Sequence, residues 1–473
     1  MLNFENEMCF GHRVISFNVP PEATHIGMMG TTIITGFIYA YLYDARQQLR
    51  AALILQKNIK SIALSLTDAS FGAIAGDIPE GEWELHLYNL EGEHRKPKAM
   101  PFQVNISFDP LEIPLIPLMN TMRANLRADR QIVFDYDAPL KSERAWYRGD
   151  LHAHTTLSDG RNTLAAAVRI AESQQLDFLF LTEHNLCHPE LPQSAQTLFL
   201  PSLEVTADEG HFNVHGPCRT LDIRNADYSS HGLIEQGLSL ADGNSFVCIN
   251  HPMLNPWCWK YASLDLTKVH GIEIVNDPTW STAALSSEMA LQVFTGMWQA
   301  GLKIYGVGGS DAHLEPHERN PKATEPSIFG DPSTFVYAEK LSGSAILAGL
   351  RQGRVYFERS CGLVFQYNQG AVLPGQDVGA VVIEVSLAVT DHSQQYYAQC
   401  VLDGDVFEQC VLSTSPASFS IDMCTRHWMR IDIRRQDGTL EGMINPIFNG
   451  RQAEFTTPKL RTWGELMATL NID

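Results

Sequence analysis

Two histidines one residue apart, His152 and His154, open the stretch RGDLHAHTTLSDG, and Asp159 follows five residues on. In extended chain, side chains two apart point to the same side, so a His-x-His at a strand end aims two imidazoles at one point. Neutral imidazole nitrogens on a backbone that need not bend are what a divalent metal ion asks for. A lone His-x-His carries little weight, because buried histidines serve structural roles too. The rest of the chain adds to it: 11 of the 17 histidines lie between His152 and His317. Several histidines and acids there share one setting, an apolar run followed by a polar residue. Leu176–Leu181 precedes His184, Leu198–Leu203 precedes Glu204, Phe246–Asn250 precedes His251, and Ile304–Gly309 precedes Asp311 and His313. Short apolar runs bounded by turn residues read as buried parallel strands. Ligands at the carboxyl ends of successive strands are how an α/β barrel assembles a site.

The elements that must position these residues fall into three segments. Residues 1–140 read as a β-rich, sandwich-like domain, with strand patterns at Gly36–Tyr43, Glu82–Tyr88 and Pro101–Phe108 separated by turn material such as Asp77–Gly81. Residues 110–146 are a Pro-punctuated connection. Residues 146–358 alternate β and α: Asn162–Gln174 is helical with Asn162 as N-cap, Asp177–Leu181 and Gly271–Asn276 are strands, and Ser287–Ala300 is a helix stopped by Gly301. Ser342–Gln352 is a further helix. The stretch 210–216 reads as a loop carrying His211 and His215, and 217–244 carries no clear pattern. Residues 361–473 read as a β-rich accessory domain. The fold class is α/β, a barrel with two β-rich flanks.

Composition narrows the partners. A formal charge of −20 over 473 residues argues against a broad nucleic-acid or anionic-membrane surface, which needs clustered Lys and Arg. It does not exclude small anionic substrates, since bound cations invert the field of a cleft. No apolar run reaches the roughly 18–20 residues of a membrane span, and MLNFENEMCFGHR lacks the pattern of an export signal. Nine scattered cysteines without a CxxC pair support neither a disulfide scaffold nor a zinc ribbon, so a reducing cytoplasm is expected.

The set GDLHAHTTLSDG, FLTEHN, LEVT…GHFN, INHP and GGSDAH resembles the PHP (polymerase and histidinol phosphatase) superfamily over about 146–358, most of all its carbaryl-hydrolase-like branch. The resemblance implies a distorted (β/α)7 barrel holding two or three divalent ions, Zn, Mn or Fe. It implies that His152 and His154 bind one ion with Glu204 and Asp311. Glu204 would bridge to a second ion held by His211 and His251, with Asp159, His184 and His313 around the third. His215 remains an alternative to His211. The family's Thr-Asp-His-Asn reads Thr182-Glu183-His184-Asn185 here, with a longer acid beside the ligand. Two such ions share a hydroxide of lowered pKa that attacks phosphorus or a carbonyl carbon. Asp311, His313 and Glu204 are assigned to the reaction, and Arg161, Asn276 and Arg354 to the substrate.

The expected function is a metal-dependent phosphoesterase acting on a small phosphorylated molecule. Hydrolysis of a carboxylic ester, carbamate or amide is the alternative within the same chemistry, because fold does not fix function. A non-catalytic metal-bound scaffold is the alternative outside it. The expected partner is a small phosphate ester, with no broad nucleic-acid surface, no membrane and room left for a homo-oligomer.

Overall fold

A computed structural model describes residues 1–90, 99–116, 122–224, 228–452 and 455–470. Its central element is a thirteen-stranded sheet. Strands β1 (Ala145–Asp150), β2 (Phe178–Leu181) and β3 (Leu198–Ala207) lie parallel, with helix α1 (Leu164–Ser173) in the first crossover. Strand β4 (Gly210–His215) turns back on β3 as a hairpin. After helix α2 (Ser230–Leu238), β5 (Phe246–Ile249) runs antiparallel to β4. Strands β6 (Gly271–Asn276) and β7 (Tyr305–Gly309), separated by helix α3 (Ala283–Gln299), then continue in parallel. On the other side of β1 lie β8 (Ser333–Ala338), helix α4 (Gly343–Arg351) and β9 (Val355–Glu358). The runs FLFL of β2 and FVCI of β5 are buried at every position, which is why they are continuously apolar rather than alternating.

Several expectations are corrected here. Of the stretch 210–216, Gly210–His215 is a strand, not a loop. It hides its β pattern because Phe212 and Val214 fill the core while His211, Asn213 and His215 occupy the other side. Helix α1 is capped by Thr163, whose side chain accepts from Ala166 N, one residue later than expected; Asn162 instead donates to Leu314 O at 2.9 Å. The unpatterned region 217–244 contains α2, capped by Ser229. Helix α3 ends as expected before Gly301, which adopts φ +84°. Regular β/α alternation is absent among the described residues, since no α-helix lies between β2 and β3 or between β3 and β4. What the structure shows is a mixed α/β fold with large sheets and few helices.

Strand β7 ends the hydrogen-bonded order, and side chains take over where the ladder stops. Thr334 Oγ1 on β8 accepts from Gly308 N at 3.0 Å and donates to Gly308 O at 2.8 Å. Asn445, on the strand Leu440–Phe448, accepts from Gly306 N at 2.7 Å and donates to Gly306 O at 2.7 Å and Val355 O at 3.1 Å. Past the strand end, Asp311 N donates to His152 O at 2.8 Å and His154 N to Ala312 O at 3.3 Å. The last strand of the set is thereby returned to the first.

Eight strands between Leu2 and Ser107 form two four-stranded antiparallel sheets around a core that includes Phe17, Ile26, Trp83 and Phe102. At the other end of the chain, Leu440–Phe448 pairs with β9, and Trp428–Arg435, Tyr396–Leu402 and Asp405–Leu412 extend the large sheet. A three-stranded sheet packs on it around Tyr367, Ile383, Ile431 and Ile444. The short helix Trp463–Thr469, with a capping box from Thr462 and Glu465, is one the β-rich reading of the tail missed. No helix among the described residues is long and apolar enough to cross a membrane.

Asn445 satisfies three buried backbone groups at the sheet seam, and Asn445→Ala strands them. The expected cost is about 2–4 kcal/mol, read as a lowered urea midpoint. An unchanged midpoint would show that the seam contributes nothing.

Candidate metal centre

The pocket is built where the central strands end. Asn185, His251, Asp277 and Asp311 stand just beyond strands β2, β5, β6 and β7 with φ of +55°, +27°, +32° and +49°. Left-handed backbone at non-glycine residues is costly and persists where the surroundings enforce it. Each sharp turn there brings the chain round the same pocket.

Three groups of side chains have ligand atoms within 4.8 Å of one another: His152, His154 and Asp311; His154, Asp159, His184 and His313; and His184, Glu204 and His211. Asp311 Oδ1 lies 3.2 Å from His152 Nε2 and 3.1 Å from His154 Nε2. Asp159 Oδ1 lies 3.4 Å from His184 Nε2 and 3.3 Å from His313 Nε2. Glu204 Oε1 lies 3.1 Å from His211 Nδ1 and 3.5 Å from both His152 Nε2 and His251 Nε2. All nine residues expected as ligands thus face one pocket. The grouping differs in three respects from the expected one: His154 and His184 each belong to two groups, Glu204 belongs only to the group of His184 and His211 and not to that of His152, His154 and Asp311, and His251 stands outside all three, on Glu204's side of the pocket.

Residues behind the ligands fix them. Glu273, in the middle of β6, sets its Oε1 2.8 Å from His152 Nδ1 while its Oε2 accepts from His251 N and Asn276 Nδ2, both at 2.8 Å. That leaves His152 Nε2 aimed at the pocket. Gly309 makes room for this contact, since a Cβ there would meet Glu273 Oε1 at 2.3 Å. Thr206 Oγ1 lies 2.7 Å from His184 Nδ1, and Asn250 Nδ2 donates to Glu204 Oε1 at 2.9 Å. Asp150 accepts from His152 N and Ser310 N, each at 3.1 Å, and from Gly330 N at 2.8 Å. Glu183, the longer acid, does not touch an imidazole ligand. It accepts from Thr155 N and Ser158 N at 3.0 Å and lies 2.8 Å from His188 Nε2, so it organises the turn that carries Asp159.

Burial opposes charge on Asp159, Glu204 and Asp311, yet the imidazoles around them hold all three well below the usual carboxylate range. Burial also opposes protonation of His152, His184 and His313. The facing acids prevail, holding the first two well above the ordinary imidazole value and lifting His313 to about 9. His154 goes the other way, to about 4, through burial and the neighbouring His313 and His184. The carboxylates are therefore neutralised by protons on imidazoles, protons that a divalent cation would displace. Three fully buried atoms, His152 Nε2, His154 Nε2 and Glu204 Oε2, make no aligned hydrogen bond, although Asp311 Oδ1 and His184 Nδ1 lie close to them. Buried polar atoms without partners are rare, and a group of them with both N and O character fits a metal ion.

The remaining expected residues divide. His215 lies deeper, with Nδ1 3.0 Å from Ser202 Oγ and its ring 4.5 Å from that of Phe180; burial pushes it down to about 3. His211, not His215, stands against Glu204. Asn276 stands behind the pocket beside Glu273, its Nδ2 3.4 Å from His152 Nδ1 and its buried Oδ1 unpartnered. Arg161 is on the rim, paired with Glu318 and donating its backbone N–H to His313 O at 2.7 Å. Arg354 is a correction. Its carbonyl accepts from Tyr337 N, and Tyr337 pairs with Trp146 at the opposite end of β1 from His152. A guanidinium starting there is placed by strand register away from the pocket. Sequence reasoning missed Glu273, whose signal is one acid inside the otherwise apolar run GIEIV.

No protein-family model matches the chain, and no curated protein matches it. Among solved structures, it is similar to a two-domain protein from Bacteroides vulgatus containing a predicted PHP-like metal-dependent phosphoesterase. The likeness is 17% identity over 65% of this chain and 94% of that one, with a TM-score of 0.35. The two share too little geometry for a residue's role to pass from one to the other.

Glu273→Gln keeps the shape but loses the charge that orients His152, and metal affinity is expected to fall by roughly 10–100-fold, read by competition with a chromogenic chelator. Unchanged affinity would remove Glu273 from the site. Metal binding is also expected to release protons below pH about 9, because His313 must give one up. Affinity should accordingly rise as pH rises toward that value. Calorimetry in buffers of different ionisation enthalpy reads the released protons; heats independent of buffer would mean that the imidazoles are already neutral.

Proposed function

We propose that this chain is a metal-dependent phosphoesterase of PHP type acting on a small phosphorylated molecule. The observation that carries the reading is the convergence of nine His, Asp and Glu side chains on one pocket, with buried donor atoms left without an aligned hydrogen bond at its centre. The ordered motifs from GDLHAHTTLSDG to GGSDAH support the superfamily and its carbaryl-hydrolase-like branch. The sequential order of β1 to β7, with its return contact between Ala153 and Ala312, supports a distorted seven-stranded barrel.

Divalent ions held there, two or three of Zn, Mn or Fe, would supply Lewis acidity and lower the pKa of water. The chain's own groups do the rest. Glu204, fully buried, is the floor of the pocket, and its two oxygens face different imidazoles. Asp311 and His313 are at the mouth, with side chains 16% and 29% exposed, so an entering substrate meets them first. Asn276, behind His152, would act on substrate only through the imidazole that it helps Glu273 to hold. Arg161 can reach a phosphoryl oxygen only by leaving Glu318.

The test is elemental analysis of the purified protein, joined to hydrolysis of aryl phosphate mono- and diesters and of aryl ester and carbamate panels before and after chelation. Two or three ions per chain and chelator-sensitive phosphate release are expected. Release from carbamates or carboxylic esters alone would move the reaction to that class. Folded Asp311→Ala is expected to lose turnover, and full activity in that variant would sink the metal-centred reading.

A further inference from the structure

The turn that delivers Asp159 is held by a cation from outside the central sheet. Lys60 opens the strand Lys60–Ser65 of the N-terminal sandwich. Its Nζ donates to Thr156 O at 3.0 Å and Leu157 O at 3.4 Å, and to Ser158 O as well. An ammonium has three donors and no acceptor, so three successive carbonyls use its full capacity. The next residue is Asp159. The N–H groups of the same turn are taken from the other side by Glu183, which accepts from Thr155 N and Ser158 N. The turn is also tight: a Cβ at Gly160 would meet the carbonyl carbon of His154 at 2.6 Å. Burial pulls the Lys60 ammonium down to about 8, while Asp159 and Glu183 pull the other way. The same sandwich touches the site twice more. Tyr41 Oη donates to Asn185 O at 3.0 Å, and the Phe37 ring lies 6.3 Å from that of His184.

We propose that Lys60 is a positioning residue for the metal group formed by His154, Asp159, His184 and His313, making the N-terminal sandwich part of the metal centre. This rests on the metal reading above. Removing the ammonium leaves three carbonyls facing buried surroundings, and the turn must open to hydrate them. Asp159, one bond beyond the turn, then loses its aim, while the group of His152, His154 and Asp311 keeps its own supports.

The experiment is equilibrium dialysis of the full chain against Zn²⁺ with metal counting, for wild type, Lys60→Met, Asp159→Asn and the double variant, with thermal unfolding in parallel. One ion in Lys60→Met is expected to bind roughly 10–100-fold more weakly, and the double variant to lose no more ions than Asp159→Asn alone. Added ethylammonium is expected to restore part of the loss in Lys60→Met. Wild-type stoichiometry and affinity in Lys60→Met would overturn the inference, as would a double variant that loses two ions. If Lys60→Met does not fold, Lys60→Arg takes its place: it keeps the charge but cannot point three bonds from one atom, and weakening of the same single ion is expected. Wild-type affinity in Lys60→Arg would then overturn the inference. A wild-type protein that binds no ion would bring down the functional reading itself, and this inference with it.

Discussion

Three carboxylates, Asp159, Glu204 and Asp311, share one buried pocket with six imidazoles, and the rest of the structure answers to that concentration of charge. Isolated acids so placed would be expelled or neutralised. Here each faces at least two imidazole nitrogens, and together the acids hold the protons that keep the pocket near neutrality. A second ring of acids, Asp150, Glu183 and Glu273, takes up backbone N–H groups, His188 Nε2 and His152 Nδ1 rather than pointing inward. The inner ring offers charge to a cation, and the outer ring fixes the backbone that aims it.

Much of this was legible in the sequence. An apolar run followed by a His, Asp or Glu reports a buried strand and the residue at its end, and that pattern located His184, Glu204, His251, Asp311 and His313. It failed where the pattern is disguised. Strand β4 alternates polar residues with core residues, but its polar positions are His211, Asn213 and His215, which turn toward the buried interior instead of toward water. Its alternation is real, yet neither face looks solvated.

Other residues were illegible for a different reason. The placement of Arg354 follows from strand register, which only the pairing of β8 and β9 reveals. The contact of Lys60 with the Thr156–Ser158 carbonyls spans about a hundred residues of chain and leaves no local trace. Glu273 was visible in principle. A single acid within a six-residue strand buried at every position must be paired with something, and its partner had to be a residue already assigned.

The side-chain seam along β7 bears on how the protein is made. The strand that carries Asp311 and His313 is seated partly by Thr334 and partly by Asn445, near the end of the chain. During synthesis His152, His154 and Glu204 leave the ribosome long before the residue that locks their last partner into place. The seat of Asp311 and His313 therefore requires the strand Leu440–Phe448, about 130 residues further along the chain, to be in place against β7 and β9. An ion held by the full set of ligands would thus depend on Asn445 as well as on the residues that face it.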